Sequence, residues 1–142
     1  MKYRTHAALL VAALLAAGCA ITQTVKPVSV AGITDLCVKR NSRVMMNDFL
    51  PELTSQIGKK GIHTTIYDGE RPASCKYSLD YTANWRWDMA MYLVFAEINV
   101  YDNGLLIGQA TYDAHAGGGR PDKFGPTAGK LRGLIDQLFA RS

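Results

Sequence analysis

The chain has 142 residues, 48% of them hydrophobic, 20% charged and 9% aromatic, with three cysteines and a formal net charge of +4. A domain of this size buries roughly two thirds of its unfolded surface, so neither intrinsic disorder nor a metal-stapled miniature fold is needed. The same figures exclude collagen, a coiled coil and a polytopic membrane protein.

In chain order, the first feature is an address. Lys2 and Arg4 precede an uncharged run from Ala7 to Ala17, which reads as a secretory signal. That run is 11 residues long, where roughly 20 are needed to cross a bilayer core, so a spanning anchor is not expected. It ends in Leu15-Ala16-Ala17-Gly18-Cys19, which resembles the lipobox of bacterial lipoproteins, with Ala16 where that family prefers Leu. The resemblance implies that residues 1–18 are a signal peptide cut before Cys19, and that Cys19 carries a diacylglycerol and usually an acylated amine. Each buried methylene contributes about 0.8 kcal/mol and a single chain binds only marginally, so two or three chains on Cys19 hold a protein permanently. Ala20 stands where lipoproteins retained in the enteric inner membrane tend to have Asp, so the resemblance implies the outer membrane, with the body facing the periplasm. Without residues 1–18 the chain has 124 residues and a formal charge of +2. A charge that small makes no case for a nucleic-acid partner.

Residues 19–32 are polar and β-branched, contain Pro27 and Gly32, and show no amphipathic period. They read as a lipidated tether to a single periplasmic domain over residues 33–142. Ile33 to Val38 is a predicted strand. Met46, Leu50, Leu53 and Ile57 then recur at helical spacing. Pro51 either kinks that helix from a start at Ser42 or lies in the first turn of one capped by Asp48. Gly61 ends it, and Ile62 to Tyr67 is a short second strand.

From Cys75 to Trp87 every odd position is apolar or cysteine and the even ones are mostly polar, the signature of a long strand with one buried face. A further strand runs from Ala90 to Tyr101, and another from Leu105 to Ala116. A two-residue Asn103-Gly104 loop carried straight into both strands mixes their faces. A three-residue loop with Gly104 left-handed pairs Val100 with Leu106 and Ile98 with Gly108, giving an apolar face, and is the predicted register. The last element is a helix from about Lys123 to Ala140, with Asp122 as cap and Leu131, Leu134, Ile135 and Leu138 as its core stripe. Gly125, Gly129 and Gly133 lie alongside, a bare stripe suited to an aromatic from the sheet or to a partner helix.

The predicted order is β-α-β-β-β-β-α: an α+β two-layer sandwich, with a mainly antiparallel sheet and both helices on one face. Through ITDLCVKR, CKYSLDYTANWRWD and YLVFAEINVYDNGLLIGQATY the chain resembles a family of small proteobacterial lipoproteins. At fold level it resembles the lipoprotein of the outer-membrane lipopolysaccharide translocon, a likeness of topology that implies no shared function.

With Cys19 lipidated, Cys37 and Cys75 remain for an oxidising periplasm. A bond between them is expected to be worth about 4 kcal/mol in loop entropy. Against it, Cys75 falls on the buried face of its predicted strand and Cys37 on the opposite face of its own. No C-x-x-C spacing marks a redox site. His63 and His115, the latter beside Asp113, lack a third ligand at a recognisable spacing, so no metal and no cofactor is expected. No nucleophile elbow or carboxylate pair marks catalysis, and the chain reads as a non-enzyme. The favoured functional feature is a surface. In the predicted register Met91, Leu93, Phe95 and Ile107 share the face away from the helices, available to an envelope protein or a second copy of the chain. The rival is a small-ligand or anion-binding module built from Gly117, Gly118, Gly119 and Arg120 with Trp85 and Trp87.

Overall fold

The computed structural model describes residues 20–140; the signal segment and Cys19 lie outside the described residues. The centre of the fold is built by the three alternating segments. They form β4 (Tyr77–Asp88), β5 (Ala90–Asp102) and β6 (Leu105–Asp113). Leu79, Tyr81 and Ala83 pair across with Val100, Ile98 and Ala96. These pair in turn with Gly108, Ala110 and Tyr112. Because side chains alternate along a strand, this registration stacks one continuous apolar face, and all nine residues are buried. Ahead of them lie β1 (Thr22–Lys26), β2 (Asp35–Lys39), helix α1 (Phe49–Gly58) and β3 (His63–Tyr67). After β6 come a 3-10 turn over Pro121–Phe124 and helix α2 (Thr127–Leu138).

The six strands make one mixed sheet in the order β1-β6-β5-β4-β2-β3, in which β2 runs parallel to both neighbours and the other pairs are antiparallel. With two helices packed on it, the domain is of α+β type. The predicted order is one strand short. Residues 22–26, expected in the tether, form β1 and pair along their whole length with β6. An edge strand exposes nearly all its side chains, as β1 does, so no buried period was available to mark it. Beyond it Val28 is held as a strap. Its N–H donates to the Leu138 carbonyl at 2.9 Å, and the Ser29 N–H donates to the Ile107 carbonyl at 3.0 Å. A Cβ at Gly108 would stand 2.8 Å from Val28 Cγ2 and 3.0 Å from its Cα, so glycine lets the strap close on the sheet.

Helix α1 takes the second of its two predicted starts, with Asp48 at the N-cap position and Pro51 inside the first turn. Phe49, Leu50, Leu53 and Ile57 are its buried residues, joined by Gln56. Helix α2 starts later than expected. Pro126 disfavours helical backbone at the residue before it, so Lys123 and its neighbours turn separately and the helix begins at Thr127. Its stripe of Leu131, Leu134, Ile135 and Leu138 is buried as expected. Gly133 backs onto the Gln23 side chain of β1 rather than onto an aromatic.

The β5–β6 hairpin corrects the predicted register. Asp102 pairs with Leu105, so Asn103 and Gly104 alone form the loop, with φ of 47° and 88°. Two left-handed residues in succession are what a tight hairpin turn requires. The pairing then shifts between Tyr101–Leu106 and Val100–Gly108, leaving Ile107 unpaired as a bulge. The buried face is recovered, but by a bulge within β6 and not at Gly104.

Cys37 and Cys75 are bonded, with 5.8 Å between their Cα atoms. The objection from opposed strand faces disappears because Cys75 precedes β4. It sits in a turn, its N–H donating to the Pro72 carbonyl at 3.0 Å, while the Arg71 guanidinium donates to the Cys75 carbonyl. The bond ties the middle of β2 to the entry of β4, which β2 joins through Cys37–Ser78.

Candidate functional site

The buried face of β4, β5 and β6 leaves a second set of side chains on the other side, and these are polar. Asp80, Thr82 and Asn84 of β4 alternate with its core residues, as do Glu97 and Asn99 of β5 and Gln109 and Thr111 of β6. The pairing sets Asn99 beside both Asp80 and Gln109. Asn99 Nδ2 donates to Asp80 Oδ1 and to Glu97 Oε1, each at 3.1 Å, and its Oδ1 accepts from Gln109 Nε2 at 2.7 Å. Tyr101 stands next along β5, its hydroxyl pushed above the usual tyrosine range by burial and then by Asp80.

A cleft of about 410 Å³ opens at this network, lined by Asp80, Glu97 and Asn99 together with Lys39, Arg40 and Arg43. The loop carrying Arg40 and Arg43 is fixed from behind. Asn41 Nδ2 donates to the Tyr81 carbonyl at 2.8 Å, and its N–H donates to the Tyr81 hydroxyl at 3.3 Å. Arg40 Nε lies 3.2 Å from Asp68 Oδ1. The arrangement offers a flat array of amides and carboxylates flanked by cations, which suits a hydrated polar partner. Its sequence signal was the polar half of the same alternation that gave the core.

The apolar face expected from Met91, Leu93, Phe95 and Ile107 does not form. Leu93 is 1% exposed and Ile107 6%, Phe95 is half-buried with its ring 6.0 Å from that of His115, and only Met91, at 48%, is exposed. Bulges account for this. On β5 the pairing moves from Asn84–Phe95 to Trp85–Leu93, skipping Val94, and Tyr92, Leu93 and Val94 are buried in succession. The bulge at Ile107 does the same on β6.

The glycine loop and the tryptophans do not converge either. The Gly117 N–H donates to the Ala114 carbonyl at 2.9 Å, and the Gly118 carbonyl accepts from Lys123 Nζ at 2.6 Å. Arg120 is held by both Asp122 oxygens, at 3.0 and 2.6 Å, and holds that carboxyl below its usual range. Trp85 meets Phe49 edge-on at 5.6 Å, whereas Trp87 is 70% exposed. His115 and Asp113 do pair, at 2.7 Å, and the His115 N–H lowers the Asp113 pKa. His63 lies 3.6 Å from Asp35. Among the described residues no three His, Cys, Asp or Glu gather as a metal would require.

Two buried lysines had no local signal. Lys123 Nζ bonds Asp88 Oδ2 at 2.6 Å and lies over the rings of Tyr92 and Phe124, at 5.1 and 4.9 Å. Lys130 lies over Tyr112 at 5.1 Å, its amine held below the usual lysine range by burial, with Asp122 opposing. Lys123 thus fastens the β4–β5 turn to the glycine loop, a tertiary contact that spacing along the chain does not reveal.

No family model matches the chain, and no curated protein matches it. Among solved structures it is similar to PelC from Paraburkholderia phytofirmans, a dodecamer solved in two crystal forms. The likeness has a TM-score of 0.55 at 15% identity for a single-substitution variant, covering 84% of this chain and 94% of that one. The second form gives 0.54 at the same identity, covering 84% and 95%. At that identity the likeness is one of fold.

Proposed function

We propose that the chain is a lipid-anchored outer-membrane lipoprotein, held through Cys19, whose periplasmic domain acts by binding, as a scaffold or accessory subunit of an envelope complex built partly from copies of itself. The observation that carries this is the uncovered polar face of the sheet with its Asp80–Asn99–Gln109 array. In this reading the domain is a two-layer sandwich. The buried residues of both helices join one core with Leu79, Ile98 and Ala110, which leaves the opposite face for a partner. Two observations support self-association. The sheet ends in open edges at β1 and β3, which are natural sites for further pairing, and the similar PelC fold is a dodecamer.

The test is made in cells. Radiolabelled palmitate is expected to enter the full-length protein but not Cys19→Ser; incorporation that ignores Cys19 removes the anchor. A photo-cross-linker at Thr82, on the polar face, is expected to give one discrete adduct, with mass at a multiple of the chain where the partner is another copy. The same probe at Asp136, on the exposed side of α2, is expected to give none. Equal yields from the two positions would remove the polar face as the binding surface.

A further inference from the structure

Three of the exposed large apolar side chains gather at the β4–β5 end of the sheet, whereas Met45 and Leu105 stand apart from them in the loop before α1 and at the opposite, β5–β6 turn. Trp87 is 70% exposed, Met89 87% and Met91 48%. Trp87 and Met91 face each other across β4 and β5, and Met89 alone makes the turn between paired Asp88 and Ala90. That turn holds Met89 at a φ of 60°, a left-handed conformation that glycine or asparagine adopts with less strain. A large apolar residue therefore stands where turn chemistry favours a small or polar one. The hairpin end is also braced. Lys123 ties Asp88 to the Gly118 carbonyl, and Tyr92 packs edge-on against Phe124 at 5.5 Å.

Topology says what this end faces. Strand β1 is antiparallel to β6 and β6 to β5, so β1 and β5 run the same way, and Thr22 lies level with Asp113 and Phe95. Residues before Thr22 therefore head toward the β4–β5 turn. Cys19, three residues earlier, reaches at most about 10 Å beyond that level. Met89 lies six residues before Phe95 along β5, one of them the bulged Val94, and so projects about 17 Å beyond that level. With Cys19 at a bilayer surface, the hairpin end would enter by about 7 Å or more, within the depth at which interfacial apolar side chains sit. The exposed Arg86 beside it suits lipid phosphate.

We propose that the β4–β5 turn, through Trp87, Met89 and Met91, is a second membrane contact that seats in the lipid surface beside the acylated Cys19. This rests on the anchoring reading above. It makes the domain a two-point attachment, which fixes the sheet's orientation to the membrane and holds its polar face away from the lipid.

The chain contains two tryptophans, and Trp85 packs against Phe49, so Trp87 can report on its own. Full-length lipidated protein is reconstituted into phosphatidylethanolamine–phosphatidylglycerol vesicles, with or without brominated acyl chains. Brominated lipid is expected to quench part of the emission, and Trp87→Phe to lose that quenched part while keeping the Trp85 signal. Met89→Asp with Met91→Asp is expected to abolish the quenching while the protein still floats with the vesicles. Flotation with no quenching of Trp87, or quenching that survives the double aspartate variant, overturns the proposal and leaves the anchor standing. Protection of Trp87 from aqueous iodide without quenching by brominated lipid also overturns it, because the end then faces protein. Failure of the unaltered lipidated protein to float overturns the anchoring reading, and this proposal with it.

Discussion

Along β4, Leu79, Tyr81 and Ala83 are buried beneath the helices, whereas Trp87, in the same odd-numbered series, is 70% exposed. Across from them on β5, Ile98 and Val100 are buried while Met91 is 48% exposed. One half of the hairpin is covered and the other outruns its cover. Phe49 at the start of α1 reaches as far as Trp85, which is half-buried against it, and Trp87 lies past that contact. Period two identifies a strand and its preferred face, but what lies over that face is set by the length and placement of the next layer.

The contrast can be broken hardest at the covered half, where the disulfide ties β2 to the entry of β4. Replacing both Cys37 and Cys75 by Ser is expected to lower stability by about 4 kcal/mol, measured by urea unfolding. Ile98, 0% exposed between Tyr81 and Ala110, comes next. Ile98→Ala is expected to cost about 3 kcal/mol through lost burial and a cavity, against about 0.5 kcal/mol or less for Trp87→Ala in the same unfolding experiment. Equal losses at the two positions would mean that the hairpin end is as tightly packed as the sheet centre.

How far the chain could be read from its residues follows the same division. The strands β2, β4, β5 and β6 and the core stripes of both helices were legible because each buries a periodic set such as Leu131, Leu134, Ile135 and Leu138, whereas β3, which buries none of its residues, was marked by its β-branched run after Gly61. Strand β1 was not legible, because an edge strand with exposed side chains carries no burial period. The face of Leu93 and of Ile107 was not legible because a bulge is a local change of count that only the partner strand reveals. The polar array at Asn99 was visible as alternation but not as a network. The Lys123 fastening depends on residues 35 positions apart, Asp88 and Lys123, and left no trace in spacing.

A smaller effect is expected at Lys130, near this junction. Lys130 lies over Tyr112, whose hydroxyl is buried with no hydrogen-bond partner among the described residues. Burial holds the Lys130 pKa in the folded chain below its ordinary 10.5. The unfolded chain thus binds more protons in the window between the folded value and 10.5, and stability attributable to Lys130 rises with pH through it. Tyr112 acts in the opposite sense above 10.0, where the unfolded chain loses its phenol proton first. Urea unfolding as pH is raised toward 10 is therefore expected to show the unaltered protein gaining on Lys130→Met. A constant difference between the two would mean that the amine keeps its charge at no cost.

The smallest expected change has the opposite sign and bears on why the exposed half is built as it is. At a φ of 60°, Met89 is strained by about 1 kcal/mol relative to glycine, because its Cβ crowds the following carbonyl. Glycine gives back part of that gain through the greater freedom of the unfolded chain. Met89 is 87% exposed, so almost no packing is lost on its removal. Met89→Gly is therefore expected to stabilise the isolated domain by about 0.5 kcal/mol in urea unfolding. If it does, methionine at this turn is retained against the preference of the backbone, and its reason lies in what the side chain meets outside the domain. A loss of stability would place that reason inside the fold, in contacts between Met89 and its own hairpin.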